Sequence, residues 1–319
     1  MIFYKIVKND KESSIKTSIK IGTRGSALAL TQTNWVADRI RQRYPEIKIN
    51  VVVIRTKGDI MQDVSLAKIG GKGVFVKEIE DALLRGDVDI AVHSMKDVPA
   101  ELPEGLHIAT IPEREDPRDV LIAKDNRKIE SLPRGAHIGT GSLRRGMQMR
   151  NLLPDVEIVP LRGNLDTRIR KIEMEGLDGI IVAAAGIRRM GWVRRVSQFI
   201  PTEVMLPAVG QGALGIEMRV GDASLAGILA FLNHAATWME VGAERSFLQR
   251  LGGGCQVPIA AYAKIRDKEL TIRGLVGSMD GRAMITDEVR GDPADYHALG
   301  TLLAERILSR GGQALIDQA

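Results

Sequence analysis

Short apolar runs that end in a small-residue turn and lead straight into a helical pattern recur through the first two thirds of this chain. That alternation limits the possible folds more than any other feature. Ile19–Thr23 reads as a strand, followed by a helix from Ser26 to about Tyr44 with Leu28, Trp35, Val36 and Ile40 on one face. Ile49–Arg55 is a second apolar strand, Val74–Leu84 a helix and Asp89–His93 a third strand. Strands that are apolar along their whole length and separated by helices predict parallel sheets covered on both faces, an α/β fold.

The charged, proline-bearing stretch Pro112–Arg118 breaks the alternation and reads as a crossing between two lobes. The pattern restarts with strands at Val120–Ala123, His137–Thr140, Glu157–Leu161 and Gly179–Ala183, and helices at Ser142–Asn151 and Leu165–Glu175. A second crossing is expected near Leu206-Pro207. Beyond Gly221 the character changes: two helices (Ala223–His234, Thr237–Leu251), three alternating strands (Ile259–Ile265, Glu269–Val276, Ala283–Val289) and a helix (Asp295–Ser309) form an α+β tail. The expected units are an N-terminal extension over 1–17, a first lobe over 18–112 plus 210–230, a second over 118–206, and a third domain over 235–319.

Of the 319 residues, 44% are hydrophobic and 27% charged, a globular composition. No apolar run approaches the roughly 18 residues of a membrane span. The polar stretch Met1–Thr17 lacks the apolar core of a secretory signal, so a cytoplasmic protein is expected. Membrane contact is not expected, nor is assembly beyond a monomer. Net charge is only +5, but Arg134 to Arg195 contains eleven arginines and one lysine against six acids. Arginine concentrated in one segment predicts an anionic partner: a polycarboxylate, a phosphate or nucleic acid. Aromatics at 4% leave few platforms for stacking single strands, which argues against nucleic acid.

Two glycine motifs fail on their context. Gly210 to Gly215 matches GxGxxG, yet Pro207 precedes it, and Ala213–Met218 reads as a strand where a dinucleotide site needs a helix. Gly70-Gly71-Lys72-Gly73 lacks the spacing and the Ser/Thr of a phosphate loop, although its backbone and Lys72 can meet anions. The histidines show no ligand spacing. His93 and Asp97 are four apart but lie at a strand end, so no metal site is expected.

Other turns carry more chemistry. Ser94-Met95-Lys96-Asp97 follows an apolar strand, at the edge where α/β sheets present functional groups. Pro99 keeps the segment from continuing as a helix. On these residues alone, Lys96 and Asp97 are either a placed pair or a solvated one. Thr140-Gly141-Ser142-Leu143-Arg144-Arg145 joins hydroxyls, a helix N-terminus and two guanidiniums, all suited to carboxylates. Arg162 with Arg168, and Arg24 with Ser26, repeat the design. Capped surface helices with solvated arginines are the competing reading. Cys255, the sole cysteine, cannot form an intramolecular disulfide and sits in Gly252-Gly253-Gly254-Cys255. A packing cysteine normally lies within an element, so the permissive turn favours a reactive thiol, though no histidine partner is near in sequence.

In order and spacing, GTRGSALALTQ, LAKIGGKGVFVKEIE, DIAVHSMKDVP, EREDPRDV, GTGSLRR, LRGNLDTR, LPAVGQGALGIE, AERSFL and GGGCQVPI resemble the porphobilinogen deaminase (hydroxymethylbilane synthase) family, from about Ile19 into the C-terminal domain. The resemblance implies two α/β lobes like those of type II periplasmic binding proteins, plus a small α+β domain. It implies a transferase of tetrapyrrole biosynthesis that joins four porphobilinogen molecules head to tail into hydroxymethylbilane and releases ammonia. A dipyrromethane cofactor would be bound covalently through Cys255, and Asp97 would be the catalytic carboxylate. Lys72, Ser94, Lys96, Thr140, Ser142, Arg144, Arg145, Arg168 and Arg189 fall on cofactor-binding positions, and Arg24, Ser26 and Arg162 on substrate-binding ones. Lys68 and Asp59 align with further first-lobe contacts. Two positions depart from the family pattern: Gly25, where many members have a polar residue, and Gly141, where many have serine. The competing function is a non-catalytic, two-lobed anion-binding protein, which would have no need of Cys255 in its glycine turn.

Overall fold

Residues 16–56, 76–253 and 257–318 are described by the structure, a computed structural model. The first sheet takes β1 (Ser18–Thr23), β2 (Lys48–Val53), β3 (Ile90–Ser94) and β4 (Leu106–Thr110), and β10 (Leu214–Arg219) enters it between β3 and β4. The second sheet has β5 (Asp119–Ala123), β6 (His137–Gly139), β7 (Glu157–Val159), β8 (Gly179–Ala183) and β9 (Gln198–Ile200), in the order β7-β6-β8-β5-β9. Its helices are α3 (Leu143–Leu152), α4 (Leu165–Met174) and α5 (Ala184–Arg189). Helices α1 (Ala27–Arg43) and α2 (Lys77–Arg85) belong to the first sheet.

Neither sheet is wholly parallel, which corrects the expectation. β1 pairs in parallel with β2 and β3, but β10 runs antiparallel to β3 and β4. β5 is likewise antiparallel to β8 and β9. The cause is the double crossing: each inserted strand is the first to follow a crossing, and it enters its sheet against the direction of its neighbours. Coverage on both faces is as expected. Ile90 and Val92 pack toward α1, whereas Ala91 between them packs toward Ile79 and Leu83 of α2. In β8, Ile180 and Val182 join one cluster and Ile181 another.

Helix α6 (Ala223–Leu229) packs Leu225 and Leu229 into the core of the first lobe, not into the tail where the change of pattern after Gly221 had put it. The tail has α7 (Ala235–Arg250), the antiparallel strands β11 (Ile259–Arg266), β12 (Glu269–Gly277) and β13 (Met284–Gly291), α8 (Tyr296–Ile307) and α9 (Gln313–Asp317). The single helix expected over Ala223–His234 is instead α6 followed by a 3-10 turn. His234 starts the next helix, because its Nδ1 accepts from the Thr237 N–H at 3.2 Å and caps α7. β4 and β9 were not foreseen. Helix α2 begins at Lys77, and the preceding Val74 and Phe75 lie outside the described residues.

The two crossings touch each other, the Glu115 N–H donating to the Gly212 carbonyl at 3.2 Å. Gly212 has φ +92°, and a Cβ there would collide with the Glu115 carbonyl oxygen. Helix α7 fastens the tail to this crossing. Its Glu244 takes a bidentate pair from Arg114 at 2.6 and 3.1 Å and also accepts from the Gly210 N–H at 2.7 Å. The neighbouring Arg245 donates to the carbonyls of Val98, Pro99 and Ala100 at 3.3, 2.7 and 3.1 Å, gripping the chain just after Asp97.

Candidate active site

The strand-to-helix turns of both lobes open onto one cleft of about 640 Å³. From the first lobe come Arg24 and Ser26 after β1, Ser94 at the end of β3, and Lys96 and Asp97 just beyond it. The second contributes Ser142, Arg144 and Arg145 after β6, Arg162 and Arg168 after β7, and Arg189 on α5. Ser26 caps α1 by accepting from the Ala29 N–H at 3.3 Å, and Ser142 caps α3 from Arg145 at 3.4 Å. Two helix N-termini therefore face the cleft with their partial positive charge. Thr140 is buried, and its Oγ1 accepts from the Ser142 N–H at 3.2 Å, bracing that turn. Leu248, Val257 and Ile259 of the tail complete the lining. Cys255, Lys72, Lys68 and Asp59 lie outside the described residues. Val257, two positions after Cys255, is on the cleft wall.

Asp97 ends a 3-10 turn over Met95–Asp97 and is exposed. Among the described residues no hydrogen bond or ion pair reaches its carboxylate, nor the half-buried Lys96 and Arg162. The Lys96 ammonium is held down at about 8, first by burial, against the opposing pull of Asp97. Burial, with Arg145 and Arg162 close by, lowers Arg168 to about 10, and burial lowers Arg189 to about 10. Burial thus weakens the hold of all three on their protons, and an anion placed beside them would offset that cost.

Arg144 and Arg145 are arranged differently from free forks. Both are buried and meet on Asp119, with Arg144 Nη1 at 2.7 Å from Oδ2 and Arg145 Nε at 2.9 Å from Oδ1. The Leu206 and Ile181 carbonyls and Gln211 Oε1 take further donors. Gln211 Nε2 donates back to Asp119 at 3.0 Å. Burial alone would raise the Asp119 pKa, but the two guanidiniums outweigh it and hold it at about 2. Reading the sequence missed Asp119 and Gln211. The available signals were an acid opening the apolar run DVLIA, and the glutamine inside Gly-Gln-Gly. Arg189 donates to the Gly212 carbonyl at 2.7 Å, and Arg168 to that of Gly163 at 2.9 Å.

Comparison with known proteins matches two family models. "Porphobilinogen deaminase, dipyromethane cofactor binding domain" covers residues 19–227, and "Porphobilinogen deaminase, C-terminal domain" covers 238–309. The chain belongs to the porphobilinogen deaminase family. A porphobilinogen deaminase of Syntrophus aciditrophicus is 62% identical over 299 residues, covering 94% of this chain and 98% of that one. The porphobilinogen deaminase of Pelobacter propionicus is 51% identical over 300 residues, covering 94% and 96%. Among solved structures, the aliphatic sulphonate binding protein SsuA of Escherichia coli is 12% identical with TM-score 0.42, covering 92% of this chain and 88% of that one, a likeness too low to carry weight. Among the described residues no helix is long and apolar enough to cross a membrane.

The family's departures can now be judged in space. A Cβ on Gly25 would make ordinary contact with Val53 at 3.4 Å. One on Gly141 would collide with the Leu161 carbonyl oxygen, so the turns after β6 and β7 approach too closely here for serine.

Proposed function

We propose that this porphobilinogen deaminase builds hydroxymethylbilane from four porphobilinogens on a dipyrromethane held by Cys255, with Asp97 as the catalytic carboxylate. One observation carries the reading: a cleft lined by Lys96, Arg162, Arg168 and Arg189 holds, among its described lining, one exposed carboxylate that no side chain pairs, Asp97. The donor set suits the cofactor. Lys96, Thr140, Ser142, Arg168 and Arg189 would hold its carboxylates, with Ser94; Lys72, outside the described residues, is a further candidate. Arg144 and Arg145 would join from the Asp119 floor. Arg24, Ser26 and Arg162 would take those of the incoming substrate. When bound, the cofactor supplies the free α-carbon to which the first substrate is joined.

The protein's own part is orientation and charge. Arginines and helix N-termini fix the carboxylates, so the reacting carbons meet in one geometry. Asp97 accepts the pyrrole N–H, and this bond strengthens as ammonia leaves and positive charge spreads over the ring. Stronger binding of the transition state than of the ground state lowers the barrier. A lone cysteine that must stay reduced until the cofactor is attached suits the reducing cytoplasm, where we place the protein as a monomer.

The test is incubation with porphobilinogen, measuring ammonia and bilane, together with intact-protein mass. Native protein should exceed its sequence mass by one dipyrromethane, and Cys255→Ser should lose most of that excess. Activity at bare sequence mass would refute the covalent cofactor, and absence of bilane would refute the activity.

A further inference from the structure

A buried acid–imidazole pair stands directly behind the Asp97 turn, and the function proposed above does not use it. His93 is the fourth residue of β3 and only 5% exposed, and it lines the cleft. Its Nε2 lies 2.8 Å from Oε2 of Glu217 on β10, itself 1% exposed. The register explains the meeting: Gly215 stands opposite His93, and Glu217 is the next residue of β10 whose side chain projects to the same face. Among the described residues nothing hydrogen-bonds to Nδ1 of His93. Behind the pair lies Glu80 of α2, 6% exposed. Oε1 of Glu80 and Oε1 of Glu217 are both buried without a partner among the described residues.

We propose that His93 is a second proton-handling group of this cleft: its Nδ1 takes the proton lost from the α-carbon of the last-added porphobilinogen unit as the next carbon–carbon bond forms. The inference rests on the function proposed above. A carboxylate can only accept, so facing Glu217 the Nε2 carries the hydrogen and the lone pair sits on Nδ1. A buried carboxylate on one ring nitrogen makes the other more basic and steadies the imidazolium. Glu80 is pushed up to about 7, first by burial and then by its closeness to Glu217.

The step balances. The amino group of the incoming unit departs as ammonia with the C–N electron pair, and ring electrons of the α-carbon form the new bond to the methylene left behind. The C–H pair then returns to the ring while the proton passes to Nδ1 and on to solvent. Dividing the labour has a reason: Asp97 must be anionic at every ammonia loss, and an acceptor other than Asp97 leaves it so. Around the pair stand Glu80, Lys77 and Asp81 on α2, Arg245 of α7 near Glu217, and Lys96 and Asp97 on the cleft side.

Two measurements test this. Nitrogen-15 NMR of histidine-labelled protein should find His93 as the Nε2–H tautomer at neutral pH, and Glu217→Gln should shift its ring nitrogen signals. Finding Nδ1–H, or a ring indifferent to Glu217→Gln, overturns the proposal without any activity measurement. His93→Gln keeps a donor toward Glu217 but no base. Loaded with cofactor, it should lose roughly 10²–10⁴-fold in turnover. It should also show a deuterium isotope effect with α-deuterated porphobilinogen that the wild type lacks. Turnover within a few-fold of wild type and no isotope effect overturns the proposal, and failure of that variant to fold leaves the NMR result to decide. Absence of bilane from the wild type would instead count against the activity itself.

Discussion

Replacing Asp119 with asparagine removes the charge on which the cleft floor is built and keeps the side chain's shape. In the folded protein this carboxylate sits at about 2 against an ordinary 3.8. At about 1.4 kcal/mol per unit, the difference corresponds to stability on the order of 2–3 kcal/mol at neutral pH. Asparagine does more than forfeit that amount, because it leaves Arg144 and Arg145 buried with no anion between them. Breaking a buried pair in this way costs roughly 3–5 kcal/mol, and that is the loss expected at pH 7. The pH dependence has a definite sign. The folded pKa lies below the unfolded one, so the wild-type contribution is complete above about pH 4 and disappears as pH falls toward 2. The gap between wild type and Asp119→Asn should therefore narrow over that window. Urea unfolding followed by circular dichroism at pH 7, 5, 4 and 3 measures both quantities. A loss under about 1 kcal/mol at pH 7, or a gap that ignores acid, refutes the claim that Asp119 carries the two arginines.

Asp97→Asn should fold and load its cofactor, yet release ammonia roughly 10²–10⁴-fold more slowly at saturating porphobilinogen; a rate within a few-fold of wild type removes Asp97 from the chemistry. Arg162→Leu should raise the Michaelis constant or impair loading, because a carboxylate loses charge-assisted bonds worth roughly 1.5–3 kcal/mol. The exposed Arg134, which pairs with Asp155 on the surface, should tolerate leucine; equal effects at the two sites count against the cleft. Gly141→Ser should destabilise the second lobe, because its Cβ meets the Leu161 carbonyl oxygen. An unchanged melting temperature would show that the two turns separate at no cost.

What the sequence disclosed was local. Ser26 and Ser142 announced helix starts because a capping hydroxyl is followed within three residues by the amide it serves. The run Asp89–His93 announced a strand because both of its faces are covered. Whatever depended on distant residues stayed hidden. The direction of β10 depends on a chain returning from the other lobe, and β4, with LHIAT, is too short and mixed to stand out. Arg144 and Arg145 looked like free anion hooks until Asp119, 25 positions upstream of Arg144, was placed beside them. His93 looked like one of several scattered histidines until Glu217, 124 positions away, came within 2.8 Å.

The insertion of β10 between β3 and β4 also sets a timetable for synthesis. As the chain leaves the ribosome, β3 and β4 emerge with no strand to share, because the strand that joins them is more than a hundred residues from completion. The second sheet, by contrast, is drawn from one unbroken stretch between Asp119 and Ile200 and can close as soon as that stretch is out. The middle of the protein should therefore fold before its beginning, while the early strands wait with open edges. A nascent chain halted before Leu214 should protect the amides of β5 and β8 from hydrogen exchange and leave those of β4 exposed. Extending it past Arg219 should protect both sets.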